Sequence, residues 1–198
     1  MKVIILAAGI TKKEYFKIYD APKCIIPLKD DRTSLDLQME RLSKYNFPVT
    51  IIVGYKGNEV IDFCKRRGYD VEFAWDNNYD KEYSVTRILK EMKHLFEGNI
   101  IILYADTLFR EDLLEKLLSC NADICKSSNT FKMTTKGMAA IIDILEHKDF
   151  EGLNSPLFFG VQEEYPDITV NKTITAWQFD IDRIEELVTA RAMAKSLL

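Results

Sequence analysis

Val3-Ile4-Ile5-Leu6-Ala7-Ala8-Gly9 opens the chain, and Ala21-Pro22-Lys23 stands further on, just before a second apolar run, Cys24-Ile25-Ile26-Pro27-Leu28. The first apolar run predicts a buried strand. A strand ending in tiny residues leaves backbone N–H groups open at its carboxyl end, which is where ligands bind in open α/β sheets. Backbone N–H groups with a lysine nearby suit phosphate oxygens. The stretch therefore reads as a nucleotide pocket with Lys23 as its cationic hook. Thr11, Lys12, Lys13 and Lys17 place further hydroxyl and cationic groups along the same loop. A tight turn carrying solvated lysines is the plainer alternative.

Outward from this stretch, short apolar runs alternate with helical patterns. Residues 33–45 predict a helix, with Leu35, Met39 and Leu42 at helical spacing and polar capping options at its start. Val49–Val53 predicts a second strand and residues 58–67 a helix stopped by Gly68. Residues 71–75 predict a strand and residues 84–96 a helix with Ile88, Leu89, Met92 and Leu95 inward. Residues 100–104 form the most apolar run and predict the fourth strand. A helix over 111–119 and a short strand over 122–125 follow. Residues 138–142 and 157–161 read as strands, with a helix over 141–148 as the competing pattern. A last amphipathic helix over 181–198 places Ile184, Leu187, Val188 and Ala192 on one face. The alternation predicts a single α/β domain over residues 1–198, a mostly parallel sheet sandwiched by helices.

Composition narrows the function classes. The 198 residues are 47% hydrophobic and 29% charged with a net charge of -4, which gives no support for nucleic acid or an anionic membrane as a partner. No apolar run approaches the roughly 18 residues of a membrane span, and the short first run lacks the length of a secretion signal, so the cytoplasm is the expected location. The four cysteines contain no CxxC pair and only two histidines accompany them, which argues against structural zinc and for reduced cysteines.

Three further constellations carry chemistry. Asp106 lies just past the 100–104 strand, after Ala105, and so stands at the sheet's carboxyl edge, where a hard cation takes carboxylates together with substrate phosphates. Capping of the next helix is its plainer role. Asp180 and Asp182 point to the same side of an extended backbone, and paired carboxylates repel unless a cation or proton lies between them. Trp75-Asp76-Asn77-Asn78-Tyr79, with Tyr83 and Ser84, is a polar aromatic loop after the third strand, suited to a second substrate or to solvent.

As a set these pieces resemble the nucleotidyltransferases that activate small phosphorylated compounds, the sugar-phosphate nucleotidylyltransferases and phosphocholine cytidylyltransferases. Leu6-Ala7-Ala8-Gly9 with Pro22-Lys23 is similar to the family's opening, Tyr104-Ala105-Asp106 to its mid-chain metal aspartate, and Asp180-Ile181-Asp182 to its C-terminal acidic element. Val53-Gly54-Tyr55-Lys56 and Asn78-Tyr79 resemble the cytidylyltransferase branch. The loop departs from the pattern: Gly9-Ile10-Thr11-Lys12-Lys13 lacks the second glycine and the arginine.

The resemblance implies a Rossmann-like, glycosyltransferase A-type fold and transfer of a nucleoside monophosphate, CMP favoured, from a nucleoside triphosphate to a small phosphorylated or phosphonate acceptor, with pyrophosphate released. It implies Mg²⁺ held by Asp106, Asp180 and Asp182, with Lys23, Asp106 and Asp182 catalytic. Leu6, Ala7, Ala8, Gly9, Lys12, Lys13 and Lys23 would bind the nucleotide. Asn78, Tyr83, Ser84 and Trp177 would bind the acceptor. Trp75, Tyr79, Tyr83 and Trp177 would also serve as aromatic walls for a quaternary ammonium such as phosphocholine. The expected partners are a triphosphate (CTP favoured) and a small phosphorylated acceptor, with a homodimer left open. Two other readings compete: a metal-dependent nucleotide-sugar glycosyltransferase using Asp180-Ile181-Asp182, and a non-catalytic nucleotide-binding homologue.

Overall fold

The computed structural model describes residues 1–10, 20–81, 85–150, 152–153, 155–176, 178–181 and 184–197. Nine strands are formed among them: β1 (Lys2–Ala7), β2 (Val49–Val53), β3 (Glu72–Trp75), β4 (Ile100–Tyr104), β5 (Thr107–Phe109), β6 (Ile124–Ser127), β7 (Thr130–Met133), β8 (Val170–Asn171) and β9 (Gln178–Asp180). Seven of these make one sheet in the order β3-β2-β1-β4-β7-β6-β8, and β5 and β9 pair as a separate ribbon. β1 lies parallel to both β2 and β4, β2 to β3, and β6 to β8; β7 runs antiparallel between β4 and β6. The α/β sheet expected from the sequence is thus present and mostly parallel.

Period-two alternation in β1 sends its residues into two cores. Ile4, Leu6 and Ala8 pack with α3 (Val85–Glu91), α5 (Thr135–His147) and α6 (Ser155–Glu164). Val3, Ile5 and Ala7 pack with α1 (Ser34–Leu42), α2 (Gly57–Arg67) and α4 (Asp112–Ser119). A third, smaller cluster joins α7 (Ile184–Leu197) to Ile26, Leu28 and Leu108 through Leu187 and Ala190.

Local chemistry sets the helix ends. α1 starts in a capping box: the Asp36 backbone N–H donates to Thr33 Oγ1 at 3.1 Å, and the Thr33 N–H donates to Asp36 Oδ2 at 2.8 Å. α2 stops at Gly68, whose φ of 69° is the left-handed turn that glycine enters without a Cβ clash.

Several expectations are corrected. Residues 138–142 and 157–161 are helical, because Met138, Ile141, Ile144, Leu145, Leu157, Phe158 and Val161 recur at helical spacing against the sheet. The helix expected over 84–96 divides into α3 and a 3-10 turn over Lys93–Phe96. Val188 is 62% exposed, so the buried stripe of α7 runs through Leu187 and Ala190 instead of Val188 and Ala192. Cys120 and Cys125 are joined in a disulfide, against the expectation of four reduced thiols: α4 ends at Ser119 and β6 starts at Ile124, and this turn brings the two Cα atoms to 6.6 Å.

Cys24 and Cys64 are reduced and buried. Burial, aided by the Asp106 charge, raises the Cys24 thiol pKa strongly, and burial with the Asp36 charge raises that of Cys64 to about 11. Since the thiolate is the reactive form, neither should alkylate at neutral pH. Mass spectrometry after iodoacetamide is expected to show no label on the native protein, two labels after denaturation alone and four after denaturation with reductant.

Candidate functional site

β1 and β4 end level with each other, since Leu6 pairs with Tyr104 in parallel register. Beyond these carboxyl ends lies a cavity of about 630 Å³. Leu6, Ala7 and Gly9 line it from the first strand and its turn, Lys23 from a 3-10 turn over Lys23–Ile25, Tyr104, Ala105 and Asp106 from the end of β4, and Asp180 from β9. Lys23 Nζ lies 2.5 Å from Asp106 Oδ2, and each side chain is less than one-fifth exposed. Residues 83 positions apart in sequence therefore meet as a buried-rim ion pair.

Asp180 reaches the same wall through the β5–β9 ribbon, which places it opposite Thr107. The Thr107 hydroxyl donates to Asp180 Oδ1, and Asn129 Nδ2 donates to Oδ2 at 2.6 Å. The Ile181 N–H donates to the Asp106 carbonyl at 3.2 Å, tying the two acidic segments together. Tyr104 feels both carboxylates: burial first, then the charges of Asp106 and Asp180, raise its pKa strongly, so its hydroxyl stays protonated and available as a donor. Two carboxylates facing one cavity, with space for phosphate oxygens beside them, suit a hard divalent cation that takes few protein ligands. Among the described residues no group of three acidic, histidine or cysteine side chains forms a cage on its own.

The loop after β3 is positioned by a buried charge. Asp76 is 2% exposed and receives both terminal nitrogens of Arg87, at 2.9 and 2.7 Å, together with the Asn78 N–H at 3.0 Å. This arrangement sends Tyr79 and Lys81 to the cavity wall. Gly54 permits the approach: a Cβ there would stand 2.5 Å from Tyr79 Cβ and 2.9 Å from the Ala8 carbonyl oxygen. Gly54→Ala is expected to cost about 1–3 kcal/mol as an overpacked site, read by thermal or urea unfolding, and to displace Tyr79 from the cavity wall.

Not every expected residue belongs to this cavity. Ala8 is buried beneath it, its carbonyl accepting from the Tyr55 N–H at 3.1 Å, because the strand's alternation turns Ala8 into the core. Asn78 spends its amide on Glu91 (3.0 Å) and Lys81 (2.7 Å) and does not line the cavity. Trp75 also stays outside, its ring lying where a Cβ on Gly57 would come within 2.8 Å. Thr11, Lys12, Lys13, Lys17, Tyr83, Ser84, Trp177 and Asp182 lie outside the described residues. The sequence reading missed Tyr104, Thr107, Asn129 and Lys81. The polar Ser127-Ser128-Asn129 stretch, a turn with Ser128 at φ 45°, was the available signal for Asn129.

The chain is 27% identical over 130 residues to a CTP:phosphoglutamine cytidylyltransferase of Campylobacter jejuni, a match covering 63% of this chain and 51% of that protein. In sequence and fold the chain resembles the cytidylyltransferase-like nucleotidyltransferases. It spans about half the length of the Campylobacter relative. A nucleotidyl transferase from Methanothermobacter thermautotroptrophicus superposes with a TM-score of 0.77 at 12% identity, covering 98% of this chain and 97% of that one. A CTP:phosphocholine cytidylyltransferase from Streptococcus pneumoniae superposes with a TM-score of 0.68 at 16% identity, covering 98% of both chains. These superpositions establish the nucleotidyltransferase fold. No protein-family model matches the chain. Among the described residues, no helix is long and apolar enough to cross a membrane.

Proposed function

We propose that this protein transfers a nucleoside monophosphate, CMP favoured, from a nucleoside triphosphate to a small phosphorylated acceptor. The observation that carries the reading is the convergence of Lys23, Asp106 and Asp180, from three distant parts of the chain, on the cavity beyond β1 and β4. The likeness to the Campylobacter cytidylyltransferase supports the choice of chemistry and of CTP.

An acceptor phosphate oxygen attacks the α-phosphorus. The new P–O bond forms as the bond to the β-phosphate oxygen breaks, and pyrophosphate leaves with the electron pair. The acceptor phosphate is already ionised at neutral pH, so no general base is required. The rate must come from positioning and charge stabilisation. Asp106 and Asp180, with Asp182 as a further proposed ligand, would hold Mg²⁺, which would supply positive charge between the two anionic reactants. Lys23 exchanges its Asp106 contact for a phosphate oxygen and stabilises the charge that builds as pyrophosphate leaves. The Tyr104 hydroxyl and Lys81 ammonium donate to phosphate oxygens along the same wall. Leu6, Ala7 and Gly9 let the nucleoside approach the strand end closely.

A pyrophosphate-release screen tests the reading by crossing CTP, UTP, GTP, ATP and dTTP with phosphocholine, aminoethylphosphonate and several sugar phosphates, each with and without Mg²⁺. Release that needs both a triphosphate and an acceptor is the expected result. Nucleotide binding by calorimetry with no release under any pairing would leave a non-catalytic binder. Nucleoside diphosphate released from a nucleotide sugar would instead make it a glycosyltransferase.

A further inference from the structure

We propose that Ser34 and Gln38, on one face of α1, are positioning residues that fix Lys23 and Asp106 relative to each other. The proposal rests on the nucleotidyl-transfer reading above. Both side chains are 1% exposed and neither touches the cavity. Their donors are directed at the backbone that carries the two site residues. Ser34 Oγ donates to the Ala105 carbonyl at 2.8 Å and lies 3.2 Å from the Cys24 carbonyl, so one hydroxyl bridges the neighbour of Asp106 to the neighbour of Lys23. One turn on, Gln38 Nε2 donates to the Tyr104 carbonyl at 2.9 Å and to the Thr107 carbonyl at 2.7 Å. The carbonyls of residues 104, 105 and 107, flanking Asp106, are thus all held by one helix.

Among the described residues, Gln38 Oε1 is buried with no hydrogen-bond partner. A buried unpaired acceptor is destabilising, and the reverse amide orientation would set Oε1 against two carbonyl oxygens. The donating orientation prevails because the chain turns from β4 into β5 at residues 105 and 106, and the carbonyls around this turn need partners. The helix is itself anchored: Asp36, inside the capping box, receives the Tyr69 hydroxyl at 2.5 Å and pairs with Arg67 Nε at 3.2 Å. A continuous path therefore runs from α2 through Asp36 and α1 to the Lys23–Asp106 pair.

The test uses Gln38→Met, which keeps length and removes both donors, and Ser34→Ala, which removes the bridge with little change in volume. Displacing a reacting group by about 1 Å costs on the order of 100-fold. Gln38→Met is therefore expected to lower kcat by about 100-fold and Ser34→Ala by about 10-fold, with KM for the triphosphate within about threefold, because the nucleoside rests on β1. Crystal structures of the variants should show 104–107 shifted and the Lys23–Asp106 contact lengthened. Folded variants that keep the wild-type kcat, or in which 104–107 superposes on the wild type, would overturn the proposal. If Gln38→Met does not fold, Ser34→Ala carries the same measurements. If the wild type itself releases no pyrophosphate, the transfer reading fails, and the crystallographic comparison still decides the positioning role.

Discussion

Replacing Asp106 by asparagine is expected to lower turnover by about 100- to 1,000-fold, the scale of removing one preorganised charge stabiliser. The side chain keeps its size, and the backbone on either side of it is held by hydrogen bonds from the Ser34 and Gln38 side chains, so the fold should be little disturbed. What disappears is the negative charge that faces Lys23 at 2.5 Å and lines the same cavity as Asp180. Steady-state pyrophosphate release at saturating Mg²⁺ reads the loss. Near-normal turnover in Asp106→Asn would remove this carboxylate from the chemistry, whatever the cavity binds.

Lys23→Met is the second large effect. Lys23 supplies a cation to the cavity wall from a turn fixed by Pro22, whose carbonyl accepts from the Ile25 N–H at 3.1 Å. Losing that charge is expected to reduce kcat by about 100-fold with a smaller change in acceptor KM, because the ammonium acts most where negative charge develops. Lys23→Arg should restore only part of the rate: the charge returns, but a planar fork replaces a compact ammonium. An unchanged kcat in Lys23→Met would mean that Lys23 serves only to neutralise Asp106.

How much of this was legible in the residues depended on how local the physics was. The apolar runs that became β1, β2 and β4 could be read because parallel strands buried on both faces must be continuously hydrophobic, whereas β3 is a partly exposed edge strand. Asp106 could be read because a polar residue just past the end of such a strand has only the sheet edge to occupy. Asp180 was recognised from its pairing with Asp182, but its proximity to Asp106 depends on the β5–β9 ribbon. β5 and β9 are three residues each, too short for periodicity to register. Asn129 was hidden for a similar reason, since its role comes from the turn between β6 and β7 and from Asp180, 51 positions away. Asn78 was misplaced because its amide met Glu91 and Lys81, partners that only the packing of α3 against the loop supplied. The Cys120–Cys125 bond also went unseen, because spacing alone gives no Cα separation.

The sequence by itself determined the alternating helices and strands, the strand end at 6–9, the lysine after proline, and an acidic residue at the tip of β4. These follow from burial and backbone geometry within a few neighbouring residues. Only the tertiary structure decided that Lys23, Asp106 and Asp180 share one wall, that Ala8 and Asn78 do not, and that Ser34 and Gln38 reach the backbone around Asp106. Those relations join segments tens of residues apart. They are set by strand order and helix packing, which no local pattern of residues encodes.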